Sequence, residues 1–160
     1  MKRKVAIVLL FMFAMFSCFG VVGAAEAAVD GTVPLYRYFN GVDHFYTTNF
    51  GELGNGNNGY SLEGVQGFVF QQPQSGTLPL YRYYNGTDHF YTTNFSELGN
   101  GANGYNFEGV VGYIYSQPQS GTSPLYRYYN GQDHFYTTNF GELGNGGKGY
   151  VFEGITGYIF

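Results

Sequence analysis

The chain repeats itself without a gap. Pro34, Pro79 and Pro124 stand 45 residues apart, and each opens a stretch of the form PLYRY-aromatic-NG-x-DHFYTTNF-x-ELGNG, closed by an EG-x-x-G element. Internal repetition outranks every other sequence signal in deciding a fold. One unit must be a small structure that cannot hide its apolar face alone, and three of them must do so together. The repeats run over 33–77, 78–122 and 123–160.

Within a unit, aromatic and β-branched residues flank Asn40-Gly41, as in Leu35-Tyr36-Arg37-Tyr38-Phe39 and His44-Phe45-Tyr46-Thr47-Thr48. That is a strong hairpin signal. A two-residue turn pairs Phe39 with Val42, Tyr38 with Asp43 and Arg37 with His44. Alternation then puts Leu35, Arg37, Phe39, Val42, His44 and Tyr46 on one face and Tyr36, Tyr38, Asp43, Phe45 and Thr47 on the other. Asn49-Phe50-Gly51-Glu52-Leu53-Gly54 reads as one helical turn, with Asn49 as N-cap, Glu52 as the returning capping-box acid and Gly54 as the stop. Tyr60–Glu63 and Gly67–Phe70 read as further strand, with Gly64 and Gly67 as breaks or bends.

These features predict an all-β domain of three 45-residue repeats closing with pseudo-threefold symmetry. The first and third copies lack the atypical polar caps that an open solenoid needs. Four short strands per unit match a β-trefoil. If Glu63–Phe70 is a single strand, a three-sided β-prism is the next choice, with a propeller-like ring as the further alternative.

The N-terminus has a separate purpose. Lys2, Arg3 and Lys4 precede an apolar run from Val5 to about Val22, and small residues follow. This is the order of a secretory signal peptide over 1–27, cut at Ala25-x-Ala27, with a single domain over 28–160. The expected location is extracellular, with no membrane attachment after cleavage. Cys18 leaves with the signal, so the domain has no disulfide. The cations that remain are Arg37, Arg82, Arg127 and Lys148, against ten carboxylates. Such an acidic chain lacks the clustered cations that nucleic acid requires.

The chain has three histidines, His44, His89 and His134, each following an aspartate. Asp43 cannot orient His44, because neighbours on a strand face opposite ways. A threefold axis gathering the three imidazoles on one metal ion is a weaker reading than a hydrogen bond beside Arg37 in the same repeat. Arg37 and Glu63 read as an ion pair within each unit. The glycine loop Gly54–Gly59 matches a nucleotide fingerprint only formally, since a helical turn precedes it and a strand follows. No serine or cysteine nucleophile recurs, although Thr47 and Thr48 do. Every charged residue and histidine of the domain except Asp30 and Lys148 is repeated threefold, whereas an active site needs its acid-base groups once. No catalytic residue is therefore expected, and the protein is not expected to be an enzyme. No metal or cofactor is expected either.

Seventeen tyrosines remain to be explained. Most Phe is assigned to the core, and Tyr to half-buried strand edges with hydrated hydroxyls. The candidate ligand set is Tyr38, Asn40 and Asp43 with its copies Tyr83, Asn85, Asp88 and Tyr128, Asn130, Asp133. Tyrosine would stack on a sugar ring, and Asn and Asp would meet its hydroxyls. The expected partner is a glycan or polysaccharide bound at equivalent sites, as in a lectin. The alternative is a structural or interaction protein. The LYR, DHFYTT and EGxxGY elements resemble a family of secreted tandem repeats without an assigned activity, often found beside secreted hydrolases. The resemblance implies binding and carries over no site residue.

Overall fold

A computed structural model describes residues 29–160, so the expected signal peptide and its cleavage site lie outside the described residues. The described chain is all-β and antiparallel. Repeat 1 contributes β1 (Thr32–Phe39), β2 (His44–Thr47) and β3 (Ser61–Phe70). Repeat 2 contributes β4 (Thr77–Tyr84), β5 (His89–Thr92) and β6 (Asn106–Tyr115). Repeat 3 contributes β7 (Ser123–Tyr129), β8 (His134–Thr137), the two-residue β9 (Gly146–Gly147) and β10 (Tyr150–Ile159). In each repeat the first strand lies between the other two. No helix of the described residues is long and apolar enough to cross a membrane.

The hairpin forms, but with a longer loop than the Asn-Gly dipeptide predicts. Phe39 pairs with His44, Tyr38 with Phe45 and Arg37 with Tyr46. Asn40 itself closes the loop, its Oδ1 accepting from the Val42 and Asp43 amides at 2.9 and 2.8 Å. The register differs from the expected one by two residues. A slip of one would have exchanged the faces, whereas a slip of two leaves every strand residue on its expected side. Only the loop residues Val42 and Asp43 are released from the ladder. The helical turn is a 3-10 turn at Phe50–Glu52, capped by Asn49. Glu52 is not a capping-box acid, because its carboxylate reaches Arg82 of the next repeat.

The segment after the glycine loop is one continuous strand rather than two, giving three principal strands per repeat. β3 carries two bulges, opposite Leu35/Tyr36 and Arg37/Tyr38. The residues left over are Gln66 and Glu63. A bulge re-aims the side chain of the extra residue, and both of these turn to the same guanidinium. Arg37 Nε lies 2.7 Å from Glu63 and its Nη1 3.2 Å from Gln66.

The repeats touch at two levels. Along the long strands, Phe70 bridges Tyr113 and Tyr115 bridges Tyr158. Phe68 and Phe160 exchange backbone hydrogen bonds of 2.7 and 3.1 Å. These crossings require glycine: a Cβ on Gly157 would sit 2.5 Å from Ile114 and 2.8 Å from the Tyr115 carbonyl. Leu35, Tyr46 and Val69 and their counterparts Leu80, Tyr91, Ile114, Leu125, Tyr136 and Ile159 form the core that the three repeats share, and smaller clusters such as Tyr38, Phe45 and Leu53 lie within a repeat.

The division of the aromatics departs from the expectation in part. Phe45, Phe70, Phe90 and Phe135 are buried and most tyrosines are half-buried, but the largest fully buried side chains are six tyrosines, and Phe50, Phe95, Phe107 and Phe140 are exposed. Burying a tyrosine is favourable when its hydroxyl finds partners. The Tyr91 hydroxyl accepts from the Tyr46 amide and donates to the Tyr46 carbonyl, and Tyr136 does the same for Tyr91 and Tyr46 for Tyr136. Each ring packs edge-on against the other two at 5.3–5.4 Å between centroids. Each hydroxyl therefore stands where a further strand would pair with β2, β5 or β8.

Candidate functional site: the Asp-His contacts and the clefts between repeats

The Asp and His of one DHFYTT copy do not meet each other. Asp133 accepts from the His44 amide at 2.8 Å and lies 2.5 Å from His44 Nδ1. Asp43 does the same for His89, and Asp88 for His134. A hydroxyl from each aspartate's own repeat completes the set: Tyr60 donates to Asp43, Tyr105 to Asp88 and Tyr150 to Asp133. The expectation that His44 bonds within its own repeat is corrected in part. Its Nδ1 partner comes from repeat 3, while its Nε2 lies 3.6 Å from Glu63 of its own repeat. The release of Asp43 from the hairpin ladder is what lets it reach the next copy.

The predicted ligand set is not gathered in the open. Tyr38, Tyr83 and Tyr128 are fully buried, and their hydroxyls donate to the Gly54, Gly99 and Gly144 carbonyls. Asn40, Asn85 and Asn130 are exposed, with Oδ1 bound to their own loop amides. Asp43, Asp88 and Asp133 are 2% exposed or less. The reason is packing on both counts. Tyr38 lies on the face that covers Phe45 and Leu53, and the aspartates point into the junction of the repeats. One carboxylate oxygen from each comes within 4.8 Å of the other two. The aspartates, not the histidines, thus converge.

Burial by itself would push the Asp43 carboxyl up. The hydrogen bond and charge of His89, with the Tyr60 hydroxyl and the His89 amide, outweigh it and hold the carboxyl below its ordinary value. A depressed pKa stabilises the fold fully above the unfolded value of about 4 and ceases to do so as pH falls through the folded value. Burial pushes the Tyr46, Tyr91 and Tyr136 phenols well above their ordinary value. Their contribution is intact below about pH 10 and is lost as pH rises beyond it. Urea titrations across pH are expected to give a stability plateau at neutral pH that falls below about pH 4 and above about pH 10. A midpoint unchanged between pH 7 and pH 3 would contradict the assignment of the Asp43 contacts.

Charged residues link the repeats again nearer the surface. Arg37 joins Glu63 of its own repeat to Glu142 of repeat 3, at 2.7 and 3.2 Å. Arg82 joins Glu108 to Glu52, and Arg127 joins Glu153 to Glu97. The pairing within a repeat was expected. The partner from the neighbouring repeat was not, because Glu52 looked fully explained as a cap. Each guanidinium also lies over a neighbouring repeat's phenylalanine, Arg37 at 4.8 Å from the Phe135 centroid.

Above Arg37 a cleft of about 390 Å³ opens between repeats 3 and 1. Arg37, His44, Glu63, Glu142 and Lys148 supply its polar wall, and Phe39, Phe135 and Tyr150 its aromatic wall. Phe39 stacks on His44 with ring centroids 4.2 Å apart. Sequence reasoning did not find this site, because its residues come from both ends of the repeated region. The shared face of Arg37, Phe39 and His44 was the one available signal.

No curated protein and no solved structure matches the chain. One family does, described as a domain of unknown function (DUF5648), over residues 14–70 and again over 44–160. Together the two regions span most of the sequence, and the chain belongs to this family of domains of unknown function.

Proposed function

We propose that the protein is a secreted, non-catalytic, lectin-like repeat domain that holds saccharide in the clefts between its repeats. The observation that carries this reading is the cleft between repeats 3 and 1. Its volume of about 390 Å³ falls in the lower part of the range of small-molecule sites, which are largely apolar with a few convergent polar groups. Phe39, Phe135 and Tyr150 offer apolar ring surface, and Glu63 and Glu142 offer acceptors for sugar hydroxyls. The non-catalytic reading rests on how the ionisable groups are engaged. Each His Nδ1 faces an aspartate and each Arg joins two glutamates, and no serine, threonine or cysteine lines this cleft.

Multivalency follows if the repeats close on one another. We read the cyclic order of the Asp-His contacts, 1 to 2, 2 to 3 and 3 to 1, as closure about a pseudo-threefold axis. Three strands per repeat favour a three-sided β-prism over a β-trefoil. Related clefts at Arg82 and Arg127 would then complete a set of three.

A single shallow site of this kind binds at about millimolar strength, and linked sites raise avidity ~100-fold or more on a polyvalent surface. The mature domain is expected to be retained by an immobilised polysaccharide and released by high concentrations of free oligosaccharide. A glycan array and a polysaccharide pull-down check this. Absence of binding in both would favour the second reading, a structural or interaction protein. That reading has its own support: Val65, Val110 and Ile155, at equivalent positions, are all exposed, as are Phe50, Phe95 and Phe140.

A further inference from the structure

The residues lining the cleft between repeats 3 and 1 differ at two positions from their counterparts in the other repeats. Phe39 stands where repeats 2 and 3 have Tyr84 and Tyr129, and Lys148 stands where repeats 1 and 2 have Asn58 and Asn103. Lys148 occupies the first central position of a two-residue turn. Gly147 pairs with Tyr150 across it, and Lys148 and Gly149 have φ of 52° and 87°. Both central residues of such a turn must be left-handed, which Asn-Gly satisfies and a long side chain resists. Asn58 and Asn103 take the same conformation, with φ of 52° and 54°. Repeat 3 therefore places a lysine at a position suited to asparagine, and the exposed ammonium borders the cleft. Among the described residues Lys148 has no carboxylate partner, since Glu63 and Glu142 are taken by Arg37. Repeats 1 and 2 have the neutral Asn58 and Asn103 at the matching position.

We infer that this cleft selects a saccharide bearing a carboxylate, a uronic acid, with the carboxylate on Lys148 and the sugar ring against the aromatic wall. The inference rests on the saccharide reading above and adds the ligand class. An ammonium facing a ligand carboxylate gives a charge-assisted hydrogen bond, worth more than a neutral one. Asn58 and Asn103 offer only neutral hydrogen bonds.

The experiment is calorimetric titration of the mature domain with a short oligogalacturonate and with its methyl ester, which keeps the rings and removes the charge. The acid is expected to bind about tenfold more tightly than the ester, a difference that shrinks with added salt. Lys148→Asn, which copies the other two repeats and so preserves the turn, is expected to abolish the preference, bringing acid binding down about tenfold to the affinity of the ester. Equal binding of acid and ester by the unaltered protein overturns the inference and leaves the saccharide reading intact. An acid preference that survives Lys148→Asn places the carboxylate elsewhere and also overturns it. If neither ligand binds and a glycan array is blank, the saccharide reading itself fails.

Discussion

Replacing Asp43, Asp88 and Asp133 together by alanine is expected to unfold the domain. Each substitution removes the acceptor for a buried His amide, a His Nδ1 and a tyrosine hydroxyl. Deleting the carboxylate from one such buried, hydrogen-bonded contact costs about 3–5 kcal/mol. Three such losses come to about 9–15 kcal/mol, the upper part of the roughly 5–15 kcal/mol by which domains are stable. Relief of repulsion among the converging carboxylates offsets part of this. It cannot supply the missing acceptors. Asp43→Ala alone is expected to leave a folded protein destabilised by about 3 kcal/mol. Urea unfolding followed by near-ultraviolet circular dichroism measures both. A triple variant that unfolds at the same urea concentration as the parent would show that the contacts contribute little.

An isolated repeat, residues 78–122, is expected to be unfolded as a monomer. Its share of the central core is Leu80, Tyr91 and Ile114, which pack against six residues of the other two repeats, and alone it keeps only the small cluster of Tyr83, Phe90 and Leu98. Alone it would also expose both halves of its interrupted polar contacts. Asp88 would lose His134, His89 would lose Asp43, and the Tyr91 hydroxyl would lose the backbone of Tyr46. A chain of this length buries too little surface to offset those losses. Association into a trimer would rebuild every one of them, so folded peptide is expected only as a trimer, with a concentration-dependent melting temperature. Sedimentation with circular dichroism across a dilution series separates the cases. A folded monomer would overturn the account of the interfaces and weaken the closure reading with it.

These two expectations rest on contacts that local sequence logic handles unequally. The period of 45 residues, the hairpin, the capped turn at Asn49 and the strand after the glycine loop follow from patterns a few residues long. So do the two faces of the hairpin, which survived an error in the turn because that error was an even number of residues. The Arg37–Glu63 pair was legible for a similar reason, since both are isolated charges in apolar strand segments of one unit.

The role of the aspartates, the burial of the tyrosines and the place of the cleft were not legible. The histidine that Asp43 meets is His89 of the next repeat and not its sequence neighbour His44, and its partner within the repeat, Tyr60, lies beyond the helical turn and the glycine loop. The burial of Tyr46 depends on an acceptor for its hydroxyl, and that acceptor is the Tyr136 carbonyl, 90 residues away. A repeated sequence states what each unit offers and says nothing about which unit receives it, because every copy carries the same donors and acceptors. The amino-acid order alone determined the unit, its strands and its faces, through alternation and turn chemistry acting over neighbouring residues. Only the tertiary structure decided that the polar groups are exchanged between copies, because a buried hydrogen bond depends on distance and direction in space, and separation along the chain does not encode either.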